Sequence, residues 1–255
     1  MSRSSADAYE PEFIIPSEQI STILAATCES PRAANLQHFQ IRYYVSGEEL
    51  SQLATMFGDH EYLGRCSMAL FFFVDLRSTA EWMRSRGEIS PFLNRIGFQY
   101  AYADAAISMQ AAASTAEGLG LQTRILSHCL QRSKAASKVF FCPPGVIPTL
   151  ILTIGKGLPV LTHPRFHLKI EDFCIRGAAP WKTGAEIYEA SGKEAADAIY
   201  LKQRPELSAR GFAAHPARAL ARAKYKDYDM ESFSQNLDEL IEESIVALKA
   251  LKQES

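Results

Sequence analysis

Residues 98–121 read FQYAYADAAISMQAAASTAEGLGL, and this stretch decides the fold. Phe98, Tyr102, Ala105, Ala106, Met109, Ala112, Ala113, Ala116 and Leu119 recur at helical spacing, and only Asp104, Gln110 and Glu117 are strongly polar. A helix that is apolar almost all round is a buried helix, wrapped by other layers. Its alanines allow other elements, or a second copy of itself, to approach the backbone closely. Gly118 and Gly120 end it, because glycine takes the left-handed conformation that stops a helix.

Two apolar runs lie on either side in sequence. Residues 68–74 (MALFFFV) and 146–154 (VIPTLILTI) suit strands covered on both faces. Pro148 predicts an edge or a bulge at the start of the second, because proline cannot donate to a ladder. Upstream, Phe39–Val45 is rich in aromatic and β-branched residues and reads as a further strand. Ser17 opens a helix with Ile20, Ile23, Leu24 and Cys28 on one face, and Ser30-Pro31 stops it. Ser46-Gly47-Glu48-Glu49 reads as a capping box before a helix carrying Leu50, Leu53 and Phe57. Thr123 to Leu126 reads as a short strand, and Gln131 to Val139 as a helix. Residues 155–176 are loop-like around HPRFH. Residues 193–209, 215–223 and 230–252 read as helices with charged outer faces. No Gly/Pro/Ser-rich linker divides the chain, which predicts one α+β domain over residues 1–255 with a helical extension over about 180–255.

Composition narrows the function classes. The net charge of -2 gives no basic excess for nucleic acid. No long apolar run is free of polar residues, and the N-terminus MSRSSADAYEPEF lacks the apolar core of a signal peptide. The five cysteines are scattered without a CxxC, which predicts reduced thiols in a cytoplasmic protein. There is no GxSxG elbow, no HExxH and no GxxxxGK[ST]. His163 and His167 are four apart, but Pro164 lies between them and no carboxylate accompanies them, so no metal site is expected. GLGLQTR lacks the third glycine of a dinucleotide fingerprint and follows a helix rather than a strand.

Three separated loops share a chemistry. Arg3, Ser4 and Ser5 lie in an N-terminal arm, Asn35 and Gln37 before the first strand, and His163 and Arg165 after the last. Guanidinium, imidazole and hydroxyl groups suit a phosphate, and side-chain amides suit the edge of a heterocycle. Taken singly, each is an ordinary loop residue.

The order of these pieces resembles the NAD(P)H-dependent, FMN-containing nitroreductase family, in particular its larger, flavin-reductase-like branch. The resemblance spans roughly residues 3–168. It is carried by RSSADAYEP, SPRAANLQHFQI, GDHEYL before a strand ending in VDL, ADAAISMQAAASTAEGLGL, and CPPGVIPTLILTIGKGLP followed by HPRFHL. It implies an α+β sandwich with a central, mostly antiparallel sheet flanked by helices. It also implies a homodimer with the long helix at its centre and one FMN at each of two intersubunit sites. By the same resemblance Arg3, Ser4 and Ser5 hold the phosphate or ribityl chain, and Arg165 is a second phosphate arginine with His163 beside it. Asn35 and Gln37 lie beside the flavin, and His60 lies near the ring.

The implied activity is hydride transfer from NAD(P)H through flavin N5 to a nitroaromatic, quinone or similar acceptor, with no catalytic protein residue required. An FMN-dependent oxidase of a specialised biosynthetic pathway and a non-catalytic dimeric binding protein are the alternatives. Departures from the pattern are Asp7, Arg32, Leu126-Ser127 and Gly155-Lys156-Gly157. Asp7 would repel a phosphate, and Arg32 could replace the missing charge by swinging in.

Overall fold

The computed structural model describes residues 5–6, 8–45, 47–59, 62–158, 174, 177–178, 180, 182–190, 198, 202 and 229–250. Four strands, β1 (Phe39–Val45), β2 (Met68–Asp75), β3 (Gln122–Leu126) and β4 (Val146–Gly155), form one antiparallel sheet in the order β1-β2-β4-β3. The two inner strands are apolar on both sides because both faces are covered. Met68, Leu70 and Phe72 point with Leu150, Leu152 and Ile154 into one core, and Phe71 and Phe73 point with Ile151 into another. Antiparallel sheets commonly leave one face in water; here neither inner strand does.

The first core lies under α1 (Ser17–Cys28) and α4 (Arg95–Gly118), and the second under α2 (Glu48–Phe57), α5 (His128–Gln131) and α6 (Ser133–Val139). Phe140 is the hub of the second. Its ring meets Phe71 at 4.9 Å and Phe73 at 5.1 Å, both edge to face, the favoured aromatic geometry. At Pro148 the register slips: Phe72 pairs with Leu150 and Phe73 with Pro148, which leaves Thr149 as the bulged residue. Its Oγ1 donates to the Phe72 carbonyl at 2.8 Å. β3 reaches no further than Ile151, so Pro148 has a neighbour on one side only. The predicted edge and the predicted bulge are both present.

The structure divides into two compact units, residues 1–160 with 231–255, and residues 161–230. In the second unit, α7 (Gly184–Ala190) is opened by a reciprocal box: Thr183 Oγ1 accepts from Glu186 N, and Glu186 Oε2 accepts from Thr183 N at 2.6 Å. Of the helix predicted over 193–209 only residues 198 and 202 are described, both helical, and the one over 215–223 lies outside the described residues. The third is present as α8 (Met230–Ala250). Its Ile241, Ile245 and Leu248 pack with α3 (Leu76–Arg84), the start of α4 and the sheet residues Val74 and Ile147. Arg95 grips its Asp238 at 2.7 Å and Glu242 at 3.2 Å, Lys134 pairs with its Glu239, and Arg84 Nη2 donates to the Leu248 carbonyl at its C-terminal end.

α4 differs from the expected all-round burial. Ala101, Asp104, Ala105, Ser108, Ala112, Ala113 and Ala116 face the sheet and α1. The opposite stripe is bare in the single chain: Ile96 is 58% exposed, Tyr100 50% and Ile107 45%, with Ala103, Gln110 and Ser114 between and beyond them.

At the end of α6, Cys142 N donates to Ser137 O and Phe141 N to Lys138 O, a Schellman closure whose left-handed position is held by Phe141 at φ 49° with 90% of its surface exposed. A bulky side chain is strained there and glycine is not. Phe141→Gly is therefore expected to stabilise the protein by roughly 0.5–1 kcal/mol, seen as a higher urea midpoint at unchanged m-value.

Candidate functional site

The N-terminal arm is tied to the end of the sheet where β3 starts and β4 ends. Ser5 bridges Thr123, Ala6 N donates to Thr123 O at 2.9 Å, Glu10 N donates to Lys156 O at 2.8 Å, and Leu158 N donates to Ala8 O at 3.0 Å. Tyr9 anchors it. The ring is fully buried and its hydroxyl donates to the Thr153 carbonyl at 2.9 Å. Burial holds its phenol far above the ordinary value, so it stays protonated as a donor. Arg124 Nη1 donates to the Ala6 carbonyl at 2.6 Å while its guanidinium lies 3.9 Å from the centre of the Tyr62 ring.

The sequence Gly155-Lys156-Gly157 has a local reason. A Cβ on Gly155 would lie 2.8 Å from the Tyr9 ring, and one on Gly157 would lie 1.9 Å from Gln122 Oε1. The glycines let the arm lie flat against β4. Lys156 pairs with Glu10 at 2.9 Å. Ser5 is thus placed beside the strand exit that leads to His163 and Arg165. Arg3, Ser4, Asp7, His60, His163 and Arg165 lie outside the described residues.

The loop that carries His60 is set from below. Buried Asp59 accepts from Tyr62 N at 2.9 Å and faces His128 Nδ1 at 3.4 Å. Burial pushes the His128 pKa down, Asp59 works against that, and Arg132 adds to it.

Asn35 and Gln37 lie at the other end of the sheet, next to the start of β1. Ala34 and Asn35 are both left-handed, at φ 52° and 54°, and both are exposed. The left-handed backbone costs on the order of 1–2 kcal/mol at Ala34 and less at Asn35, whose side chain tolerates it, and the turn needs outside support. Asp104 of α4 supplies it: buried Oδ1 accepts from Ala33 N at 3.0 Å. A hydrogen bond to a charged group contributes about 1.5–3 kcal/mol, enough to offset much of the strain. The other oxygen, Oδ2, lies 3.7 Å from His38 Nδ1, too long for a hydrogen bond, and the His38 ring packs on Phe92 at 4.7 Å, tilted by 59°. Burial lowers the His38 pKa, and Asp104 and Asp75 oppose it.

Arg32 does not swing towards the arm: it donates to the Gln37 amide oxygen and to the Cys28 carbonyl at 2.9 Å. Gln37 Nε2 donates to Phe39 O at 2.8 Å, so both ends of its amide close the loop. Among the described residues, Ser5 does not meet Asn35 or Gln37 within one chain. β4 separates them by ten residues, about 30 Å at strand spacing. Sequence reasoning missed Arg124, Tyr9 and Asp104 as the groups that hold these loops; their partners are remote in sequence and no local motif marks them.

The architecture defined here is a three-layer α+β sandwich with a two-face-covered antiparallel sheet and loops gathered at its two ends. Its fold is that of the nitroreductases. The chain superposes on the NfrA1 nitroreductase of Bacillus subtilis with a TM-score of 0.75 at 17% identity, covering 94% of this chain and 95% of that one. It superposes on a candidate oxidoreductase of Bacteroides fragilis with a TM-score of 0.79 at 18% identity, covering 96% and 97%. The NADPH:FMN oxidoreductase of Vibrio harveyi, solved with NAD+, gives 0.65 at 16% identity over 78% and 83%. No protein-family model matches the sequence, and no curated protein matches it. Among the described residues, no helix is long and apolar enough to cross a membrane.

Two outcomes test this geometry. Tyr9→Phe keeps the ring and removes the donor to Thr153, and is expected to cost about 1 kcal/mol in unfolding free energy, read from urea denaturation. His38 and His128 are both held below their ordinary value, near 6.5 when unfolded. The unfolded chain then binds more protons, so stability present above about pH 6.5 falls as the pH drops below it. Unfolding free energies measured at intervals down to about pH 5 should decline, and the decline should be shallower in His38→Gln.

Proposed function

We propose that this chain is an FMN-dependent oxidoreductase that works as a homodimer and uses NAD(P)H to reduce nitroaromatics, quinones or similar electron-poor acceptors. The observation that carries this reading is the pairing of the arm with the exit of β4. It sets Ser5 beside the strand whose continuation leads to His163 and Arg165, on the fold that nitroreductases share. The chemistry there suits an anionic tail: a hydroxyl from Ser5, with the cations of Arg124 in β3, which also donates to Ala6 O, and of Lys156 just past β4, which also pairs with Glu10.

In this reading Arg3, Ser4, Ser5, His163 and Arg165 of one chain hold the phosphate and ribityl chain. The partner's Asn35 and the partner's Gln37 approach the ring, with His60 nearby. Bound FMN supplies two-electron hydride exchange between the nicotinamide and the acceptor. The chain's own work is to bind, to orient and to exclude water. The Asn35 side chain, exposed on a strained and supported loop, offers an amide donor and acceptor without further rearrangement.

Two features support the dimer and reinforce each other. The bare stripe Ile96, Tyr100, Ile107 on α4 needs a cover, and the arm and the Asn35 loop are at opposite ends of the sheet that α4 covers. A two-fold pairing through α4 covers the stripe with its own copy and brings one chain's arm to the other's Asn35 loop.

Purified protein is expected to be yellow, to bleach with NADPH and to recover with a quinone. Arg165→Ala should lose FMN on gel filtration. Ile107→Glu should give a monomer by light scattering that no longer retains FMN. A dimer that takes up no FMN on titration would refute the flavin reading, and a monomer that retains FMN fully would refute the intersubunit site.

A further inference from the structure

The loop that presents Asn35 is held from one direction by a single carboxylate. Asp104 lies on α4, buried, 71 residues from the loop in sequence, and its Oδ1 takes the Ala33 amide at 3.0 Å. The turn then closes on itself, with Asn35 N donating to Arg32 O and Leu36 N donating to Ala33 O. The backbone of Ala34 and Asn35 is left-handed without a glycine in either place. Asparagine tolerates that conformation, but nothing intrinsic to Ala34 selects it, so its support has to come from outside the turn. Arg32 and Gln37 tie the two ends of the loop to each other and to α1, and Ser108, one turn beyond Asp104, donates to Thr27 O at 3.1 Å. Those contacts fix where the loop starts and ends; the Ala33 amide is where α4 reaches the turn itself.

We propose that Asp104 is a positioning residue for Asn35: by holding the Ala33 amide it fixes the left-handed turn that aims the Asn35 amide at the flavin of the partner subunit. This rests on the FMN reading above and adds to it the group that decides whether Asn35 is in place. Asp104 itself touches no cofactor. Its effect on binding therefore passes through Asn35 and disappears when Asn35 is gone.

The test is FMN titration of the apoprotein by fluorescence quenching, with amide hydrogen exchange of the same proteins followed by NMR. Asp104→Ala should weaken FMN binding roughly tenfold, the factor carried by about 1.4 kcal/mol, and Ala33 should lose its exchange protection. Asp104→Asn keeps an oxygen at the Oδ1 position and should bind within about threefold of the parent, with Ala33 protected. Asn35→Ala should weaken binding, and Asp104→Ala added to it should weaken binding no further, because the two act as one unit. Should Asp104→Ala fail to fold, Ala33→Pro removes the same hydrogen bond from the other side. Arg32 before it is already extended at φ −139° and ψ 146°, as a residue preceding proline must be. This variant should reproduce the tenfold loss. Additive losses in the double variant, or unchanged FMN binding in Asp104→Ala or in Ala33→Pro, overturn the proposal. If the parent protein takes up no FMN, the flavin reading fails. Retained protection of the Ala33 amide in Asp104→Ala would then overturn the positioning role, and its loss would uphold it.

Discussion

The molecule depends on two adjacent strands that have no polar face. Every residue of β2 is buried, and so is β4 beyond its first residue. An antiparallel pair of this kind cannot lie at a surface, so each face must recruit helices, and that requirement sets the layer order. It also fixes where loops can be. With α1 and α4 spread over one face and α2, α5 and α6 over the other, the polar connections are pushed to the two ends of the strands. The described candidate residues, Ser5, Asn35 and Gln37, are found there because little other space is left for polar side chains.

At one end, the same constraint binds the arm. Tyr9 is among the largest fully buried side chains in the protein, and its hydroxyl is matched by the Thr153 carbonyl and hydroxyl. An apolar ring with one polar tip suits the margin of a core, where the body is buried and the tip meets backbone. The anchor does structural work first, and it aligns Ser5 and the β4 exit as a consequence. Site geometry and core stability are therefore linked through one residue. The close approach of Gly155 and Gly157 shows how little room that alignment leaves.

Local periodicity gave the elements and long-range pairing gave the site, which is why one was legible in the sequence and the other was not. Phe39–Val45 was readable to the residue, as alternation and β-branching mark a strand directly. The long helix was readable except at its start. It begins at Arg95 under an Asn94 cap that accepts from Gly97 N at 2.9 Å, a signal weaker than the apolar repeat that starts at Phe98. The helix read over Gln131 to Val139 is present as α6 from Ser133, and the short α5 before it was not legible; the two are parted at Arg132 with φ −125° and ψ 40°, where no glycine or proline gives warning. α7 carried a signature that was overlooked, the Thr183 and Glu186 of its capping box. Ser5, Asn35 and Gln37 have chemistry that suits a phosphate or a heterocycle, but singly they are ordinary loop residues, and only the family resemblance gave them roles. The Arg124–Ala6 and Asp104–Ala33 bonds join residues 118 and 71 apart, and no pattern within a window of sequence encodes them.

The alternation of α4 is the point at which fold and function meet. Its sheet-facing side carries the small residues that permit close packing, and the bare side keeps large ones at Ile96, Tyr100 and Ile107 with Ala103 between them. A helix selected only to cover a sheet would be polar on its outer stripe. In the proposed dimer, large apolar residues spaced around an alanine instead meet their own two-fold image, with bulk opposite a gap. On the proposed reading, the separation of about 30 Å between the arm and the Asn35 loop is then no obstacle. An isologous pair with antiparallel helices sets each end of one chain against the opposite end of the other. The two half-sites that a single chain keeps apart become two whole ones, related by the same axis that buries the stripe.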